Sequence, residues 1–156
     1  GPRQSLSNPY TGVTAIFLSR LKNNRPPVVN EDGLQTRDFI SVHDIAEANL
    51  LALKSDAANG QVFNVGTGKP LAIKSIAEVL AKLLNVYISP QITNKFRKGD
   101  VRHCYADISK ITKLIGWKPK VTFEQGMAEL IEWSRNARAE DKFDKAFEEL
   151  RQKGLA

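Results

Sequence analysis

The residue types best suited to binding a ligand lie close together in one short stretch, residues 96–110. Its first part is a charged loop around Gly99 that contains Arg97, Lys98, Asp100, Arg102 and His103. A guanidinium can form two parallel hydrogen bonds with phosphate oxygens, and a carboxylate can accept hydrogen bonds from hydroxyl or N–H groups. Arg97 and Asp100 therefore fit a ligand with one anionic end and one polar end. The alternative is a solvated loop whose charges pair with one another.

The end of this stretch predicts the start of a helix. Asp107 can accept hydrogen bonds from the free amides of a helix over residues 108–115. Gly116 follows the last apolar residue and is a favourable helix stop. The loop before Asp107 is therefore attached to a fixed element.

A second informative stretch covers residues 35–44. Phe39, Ile40 and Val42 predict a short strand, and Ser41 with Asp44 has the spacing of a helix N-terminus. The helix predicted over residues 42–54 is apolar on most faces, so we expect it to be largely buried.

A glycine-flanked turn follows a predicted strand over residues 61–65. Gly66-Thr67-Gly68 could cradle phosphate on backbone N–H groups. It lacks the third glycine of a dinucleotide-binding fingerprint and an acidic residue at the expected distance. A tight turn is therefore the favoured interpretation, and strand, turn and helix in this order indicate α/β architecture.

The spacing of apolar residues and the positions of turn-forming residues such as glycine and proline predict the remaining elements. Helices are expected over residues 11–23, 73–84 and 123–138, the last with a Thr122–Gln125 capping box, and strands at residues 28–29 and 86–92. A final amphipathic helix carries Phe143, Phe147 and Leu150. We therefore predict an α/β (α+β) fold that is rich in helices and has short strands.

Composition narrows the function classes. The chain has 156 residues, a formal net charge of +6 and 42% hydrophobic residues, which is typical of a soluble globular domain. Basic residues are scattered rather than clustered, which argues against a long nucleic-acid-binding stripe. Cys104 is the only cysteine, so an intrachain disulfide is impossible, and we expect a cytoplasmic protein. No apolar run approaches the length of a membrane span.

No complete catalytic constellation is visible. The sequence has no Walker lysine pattern, no serine-centred elbow and no Cys/His spacing typical of zinc. His43 and His103 are far apart along the chain. We expect neither a metal site nor catalytic residues.

An ordered set of motifs carries a family resemblance. It comprises Gly1-Pro2-Arg3, Asn8-Pro9-Tyr10-Thr11-Gly12-Val13, Asp32-Gly33, Arg37-Asp38-Phe39-Ile40-x-Val42-x-Asp44, Phe63-Asn64-Val65-Gly66-x-Gly68, Arg97-x-Gly99-Asp100-Val101-Arg102, Ala106-Asp107-Ile108-Ser109-Lys110 and Gly116-Trp117-x-Pro119. This order resembles the C-terminal half of an extended short-chain dehydrogenase/reductase. The similar group is the NAD-dependent nucleotide-sugar epimerases and dehydratases, typified by UDP-glucose 4-epimerase.

The resemblance implies a substrate-binding region without its catalytic half. In the family, an N-terminal Rossmann region binds NAD and carries a Tyr-x-x-x-Lys pair, whereas the C-terminal region grips the nucleoside diphosphate. No tyrosine of this chain is followed by lysine at that spacing, and the NAD fingerprint is missing. We therefore expect residues 1–138 to be a nucleotide-sugar-binding domain and residues 139–156 a C-terminal helix and tail. We expect NAD in the intact enzyme, none bound to this chain, and no turnover by the chain alone.

Six residues are expected to bind substrate because they match the family's pattern: Arg37, Arg97, Asp100, Phe39, Val28 and Asn30. The resemblance places Arg37 and Arg97 on the diphosphate and Asp100 on the ribose. Val28 and Asn30 match the base pocket, and Phe39 matches an aromatic beside the site. Many members have an aromatic residue where this chain has Asn30, and some have a tyrosine where it has Cys104.

The expected partners are a UDP- or dTDP-linked sugar and the missing Rossmann half, with a homodimer possible in the intact enzyme. Nucleic acid and membrane are not expected partners. Two alternatives remain open at this point: a basic nucleic-acid-binding module, motivated by the sequence pI near 9.5, and a non-catalytic interaction domain.

Overall fold

A computed structural model describes residues 1–7, 12–96, 99–137 and 139–152. These ranges contain six α-helices, four two-residue strands and one short 3₁₀ helix. They are α1 (Val13–Lys22), β1 (Val28–Val29), β2 (Thr36–Arg37), α2 (Val42–Lys54), the 3₁₀ helix (Asp56–Ala58), β3 (Leu71–Ala72), α3 (Ile73–Leu83), β4 (Gln91–Ile92), α4 (Ser109–Ile115), α5 (Phe123–Ser134) and α6 (Phe143–Gln152). The predicted helix-rich α/β class with short strands is confirmed.

Two small sheets fix the loops between the helices. β1 pairs in parallel with β4, with Val28 opposite Gln91. β2 pairs antiparallel with β3 on one edge. On its other edge the Thr36 amide donates to the Arg102 carbonyl at 2.9 Å, and the Cys104 amide donates to the Thr36 carbonyl at 3.1 Å. The charged loop therefore runs beside β2.

The main core forms where α1, α3 and α5 meet. Leu18, Leu80 and Leu130, one from each helix, have no exposed side-chain surface, and Val29 of β1 completes the cluster. Burial of such side chains drives this packing. A second, smaller cluster around Ala48, Ile111 and Trp117 attaches α2 to α4.

The capping signals are largely confirmed. Ser41 accepts a hydrogen bond from the His43 amide, Thr122 and Gln125 form the capping box of α5, and Gly116 ends α4 at a φ of 72°. Asp107 accepts from the Ser109 amide at 2.9 Å, but α4 starts at Ser109 with Ile108 as its N-cap, one residue later than predicted. α5 ends at Ser134 instead of near residue 138, which lies outside the described residues.

Asp44 departs from the predicted capping role. Instead of reaching back to its own helix start, its buried carboxylate accepts from the amides of Lys120 and Val121 at 3.0 and 3.1 Å. It therefore ties α2 to the segment before α5.

The strand predicted at residues 39–42 is wrong in position. The ladder forms at Thr36–Arg37, because β3 and residues 102–104 lie opposite those two residues. Phe39 and Ile40 follow the strand, and Val42 is the first residue of α2.

The expected burial of α2 is also wrong, as is the strand over residues 61–65. Only Asp44 and Ala48 of α2 are buried, whereas Leu50 is 57% exposed and Leu53 is 84% exposed. Residues 61–65 have no strand partner among the described residues, and Val62 is 83% exposed. Apolar patterning predicted burial, but the described part of the chain does not cover this face.

None of the described helices is long and apolar enough to cross a membrane.

Candidate functional site

The structure places Arg37 and Asp100 together at the end of β2. The Nη2 of Arg37 donates to the Oδ1 of Asp100 at 2.5 Å. Its Nη1 donates to the carbonyl of Thr36 at 2.8 Å and lies 3.4 Å from the carbonyl of Arg102. About a quarter of the Arg37 side chain remains exposed, so the guanidinium is held in place yet accessible.

Arg102 links the charged loop to the turn after β1. Its Nη1 donates to Glu31 at 2.6 Å and to Asp32 at 2.7 Å, and its Nη2 donates to Asp32 at 2.8 Å. These hydrogen bonds from Arg102 are the main reason that the pKa of the Asp32 carboxyl lies well below its ordinary value. Arg102 and Asp100 therefore pair with charges outside the loop, Arg102 with Glu31 and Asp32 and Asp100 with Arg37, and not with one another as one alternative from the sequence predicted.

The residues expected at the base pocket lie at the same end of the molecule. Val28 and Asn30 sit in and just after β1. The Nε2 of Gln35 donates to the carbonyl of Asn30 at 2.9 Å, while the buried Oε1 of Gln35 has no partner. Gln35 directly precedes β2, so this contact joins the Asn30 segment to the strand that carries Arg37.

Phe39 occupies a different environment. Its ring packs edge-on against Phe123, with the ring centroids 5.5 Å apart, and it contacts the main core. It lines two open cavities of about 250 and 310 Å³, one on the side of Gly1 and one on the side of Lys69. Core packing alone accounts for this aromatic residue.

Arg97 lies outside the described residues, together with Lys98. Its expected contact with the diphosphate therefore stays a prediction. The flanking segment is described, and Phe96, at 80% exposed, contributes little to the core.

The Gly66-Thr67-Gly68 turn is closed around a carboxylate. Asp38 accepts hydrogen bonds from the amides of Thr67, Gly68 and Ala106 at 2.9 to 3.2 Å, and from the Thr67 hydroxyl. Burial alone would raise the pKa of Asp38, but these hydrogen bonds outweigh it and hold the pKa below its ordinary value. A Cβ on Gly66 would lie 2.5 Å from the Asp38 carboxylate, so no side chain fits there.

This geometry does not fit the phosphates of a dinucleotide. The amides that would have to cradle a phosphate already donate to Asp38, and a second anion beside that carboxylate would be repelled. The interpretation of this segment as a tight turn agrees with the structure, and these residues do not form an NAD site.

The two histidines and the cysteine make separate contacts or none that involves a second such residue, among the residues that the structure describes. His103 Nδ1 lies 2.9 Å from the Thr36 hydroxyl, and His43 Nε2 lies 2.9 Å from the carboxylate of Glu129. Cys104 is exposed with a free thiol. Among the described residues, no cluster of His, Cys, Asp or Glu could hold a metal ion.

Sequence reasoning missed three of these contacts: Asp38 with the glycine turn, Gln35 with Asn30, and Arg102 with the turn at Glu31 and Asp32. Two of these contacts join residues that are far apart along the chain, and the contact of Gln35 with Asn30 uses a backbone carbonyl, which side-chain types do not reveal. Only the Arg102 contact had a signal in the sequence. Glu31 and Asp32 are adjacent carboxylates before a glycine turn, and a nearby cation stabilises two carboxylates that lie close together.

Comparison with known proteins gives a consistent result. A family model described as GDP-mannose 4,6-dehydratase matches residues 1–130. The chain is 37% identical over 133 residues to a dTDP-L-rhamnose 4-epimerase of Burkholderia thailandensis, covering 85% of this chain and 36% of that protein. It is similar to the structure of a UDP-N-acetylglucosamine 4-epimerase from Methanobrevibacter ruminantium in complex with UDP-N-acetylmuramic acid, with 37% identity and a TM-score of 0.81.

That alignment covers 88% of this chain and 44% of the other. A UDP-glucose 4-epimerase from Thermus thermophilus in complex with NAD matches with 28% identity and a TM-score of 0.72, covering 88% of this chain and 44% of that one. The chain therefore spans less than half the length of these relatives.

Proposed function

The chain belongs to the family of NAD-dependent nucleotide-sugar epimerases and dehydratases, and on that premise we propose that it binds the nucleoside diphosphate of a nucleotide sugar. The observation that carries the proposal is the accessible guanidinium of Arg37 beside Asp100, at the end of β2. The relatives act on sugars linked to dTDP or UDP, according to their names, which favours one of these two nucleotides.

Arg37 would bind the diphosphate by exchanging the carboxylate of Asp100 for a phosphate group. Its Nη2 now donates to the Asp100 carboxylate, and a phosphate oxygen can take that place with a similar geometry. Asp100 would then be free to accept a hydrogen bond from a ribose hydroxyl. Arg97 would supply the second guanidinium, as the family resemblance implies.

The base would lie on the β1 side of this site. Val28 offers apolar surface, and Asn30, the residue after β1, offers a polar side chain. Since Asn30 has no aromatic ring, stacking on the base cannot come from this position, and hydrogen bonding with backbone and side-chain amides would carry recognition. Phe39 would contribute by holding β2 against the core instead of contacting the nucleotide.

We assign the redox chemistry to the part of the relatives that this chain does not span. NAD would bind there in the intact protein, together with a Tyr-x-x-x-Lys pair, because the glycine turn of this chain is filled by Asp38. Residues 1–138 would form the substrate-binding domain, and residues 139–156 a C-terminal addition. The chain alone is then expected to show no epimerase or dehydratase turnover.

The exposed face of α2 supports a partner that corresponds to the part of the relatives that this chain does not span. Leu50, Leu53 and Val62 leave apolar surface open, and residues 61–65 offer backbone hydrogen-bonding groups without a strand partner. A Rossmann region that covered α2 and paired with residues 61–65 would satisfy both. A homodimer of the intact enzyme is compatible with this arrangement.

Calorimetric titration with UDP, dTDP and GDP tests the proposed binding. We expect one nucleotide to bind the chain and Arg37→Ala to weaken that binding by about tenfold or more, because a charge-assisted contact with phosphate is lost. Arg135→Ala is the matched control, since Arg135 pairs with Glu132 on the exposed side of α5. No binding of any nucleotide, or equal losses in both variants, would contradict the proposal.

A further inference from the structure

One arginine connects the two ends of the proposed nucleotide site. The guanidinium of Arg102 lies between the carboxylates of Glu31 and Asp32, with three N···O distances of 2.6 to 2.8 Å. The backbone carbonyl of the same residue accepts from the Thr36 amide at 2.9 Å and lies 3.4 Å from Nη1 of Arg37. Its side chain thus reaches the base end, and its backbone reaches the diphosphate end.

The turn that Arg102 grips has little freedom of its own. Glu31 has a φ of 51°, an uncommon conformation for a residue with a side chain, and is 7% exposed. Its amide donates to the carbonyl of Lys95, and its carbonyl accepts from the amide of Asn94, both at 3.0 Å. The turn is therefore tied to both ends of the charged loop, at residues 94–95 by the backbone and at Arg102 by the side chain.

We propose that Arg102 is a positioning residue that sets the distance between the base end and the diphosphate end of the site. It does so without contacting the nucleotide, because both of its side-chain partners are carboxylates of the turn. This inference rests on the proposed binding of a nucleoside diphosphate. A ligand that spans both ends gains from a fixed distance between them, whereas a ligand that binds one end does not.

The test compares a spanning ligand with one that occupies only the anionic end. The probes are inorganic pyrophosphate and whichever of UDP, dTDP and GDP binds the wild-type chain. Arg102→Lys keeps the positive charge but cannot fork onto two carboxylates. Asp32→Asn removes a negative charge while its remaining carbonyl oxygen can still accept from the Leu34 amide, as Asp32 does now at 2.9 Å.

We expect both variants to lower the preference for the nucleotide over pyrophosphate by about tenfold, within the roughly 5- to 150-fold range of coupling between sites. Pyrophosphate affinity itself should change little. A role in electrostatic attraction alone predicts instead that Asp32→Asn tightens the binding of pyrophosphate as well as of the nucleotide, since removal of a carboxylate favours every anion. Arg135→Gln serves as the control for loss of an exposed arginine.

An unchanged preference in both variants, while the wild type binds nucleotide, would overturn the inference and leave the proposed function intact. Equal weakening of both ligands would also overturn it, because Arg102 would then act on the phosphates directly. Absence of nucleotide binding by the wild type would overturn the proposed function and this inference together. The urea midpoint of each variant shows whether it is folded under the conditions of the titration.

Discussion

Replacement of Asp38 should destabilise the fold strongly and in a pH-dependent way. The carboxylate accepts hydrogen bonds from three backbone amides and from the Thr67 hydroxyl. Asp38→Ala removes every acceptor at once and leaves the three amides facing a small void. Asp38→Asn keeps one oxygen but points an NH₂ group at donors.

The magnitude follows from these contacts. A hydrogen bond to a charged group contributes about 1.5–3 kcal/mol, and the contributions of neighbouring bonds do not add fully. Because Asp38 is only partly buried, water can replace part of what is lost. We expect Asp38→Ala to lower the free energy of unfolding by about 3 kcal/mol and Asp38→Asn by about 2 kcal/mol, out of about 5–15 kcal/mol for a typical domain.

The pH dependence has a defined sign. The pKa of Asp38 is lowered in the folded state relative to its value of about 3.9 in an unfolded chain. Its ionised form therefore stabilises the fold fully above that unfolded pKa, and this contribution is lost as the pH falls through the folded pKa. The stability difference between wild type and Asp38→Asn should be constant from neutral pH to about pH 5 and should shrink below about pH 4.

Urea unfolding followed by tryptophan fluorescence measures this difference, since Trp117 is buried and reports on exposure. Asp56→Asn, at an exposed carboxylate, is the matched control. A loss below about 0.5 kcal/mol for Asp38→Ala, or a difference that stays undiminished at pH 3, would refute the account of this turn.

Four further substitutions test other parts of the structure. Gly66→Ala should cost about 2 kcal/mol in urea unfolding, because its Cβ would lie 2.6 Å from the Ala106 Cβ, whereas Gly126→Ala meets nothing closer than 3.8 Å and should stabilise α5 by up to about 1 kcal/mol. Leu18→Ala should cost about 3 kcal/mol, since Leu18 is fully buried in the main core; a cost below about 1 kcal/mol would contradict that packing. Leu53→Ser should change stability by less than about 0.5 kcal/mol yet weaken co-purification with a co-expressed N-terminal region of a relative, and unchanged co-purification would contradict the proposed interface.

Local signals in the sequence predicted most of the helices. The capping box at Thr122, the N-cap at Ser41 and the stop at Gly116 act within one helical turn, and so they are visible without a structure. The short strand at residues 28–29 and the glycine turn after residue 65 were found for the same reason.

The predictions that were wrong share a physical cause: each concerned a segment whose structure depends on a partner far away along the chain. Residues 61–65 have a strand-like pattern, but no described strand pairs with them, and α2 has apolar residues that no described element covers. Patterning records that a surface is suited to burial and does not say what buries it. Asp44 was likewise predicted to cap its own helix, but its carboxylate accepts hydrogen bonds from two amides more than seventy residues away along the chain.

The placement of two candidate site residues agrees with the sequence analysis, while their binding of substrate stays a prediction. Arg37 and Asp100 were both expected to bind substrate, and the structure brings them into direct contact. The link through Arg102 was not foreseen, because charge spacing alone cannot tell which carboxylate a guanidinium will choose across about seventy residues. Phe39 packs against Phe123, so an aromatic residue in this motif has a structural contact whether or not it also contacts a ligand.

Mapping of backbone amide shifts by ¹⁵N NMR during titration with UDP and dTDP tests the central claim most directly. The account predicts that one nucleotide shifts the amides of residues 28–32, 35–37 and 99–104, with smaller shifts elsewhere. Shifts centred instead on the groove between α3 and residues 85–92, or no shifts at millimolar nucleotide, would contradict a nucleoside diphosphate site at Arg37 and Asp100.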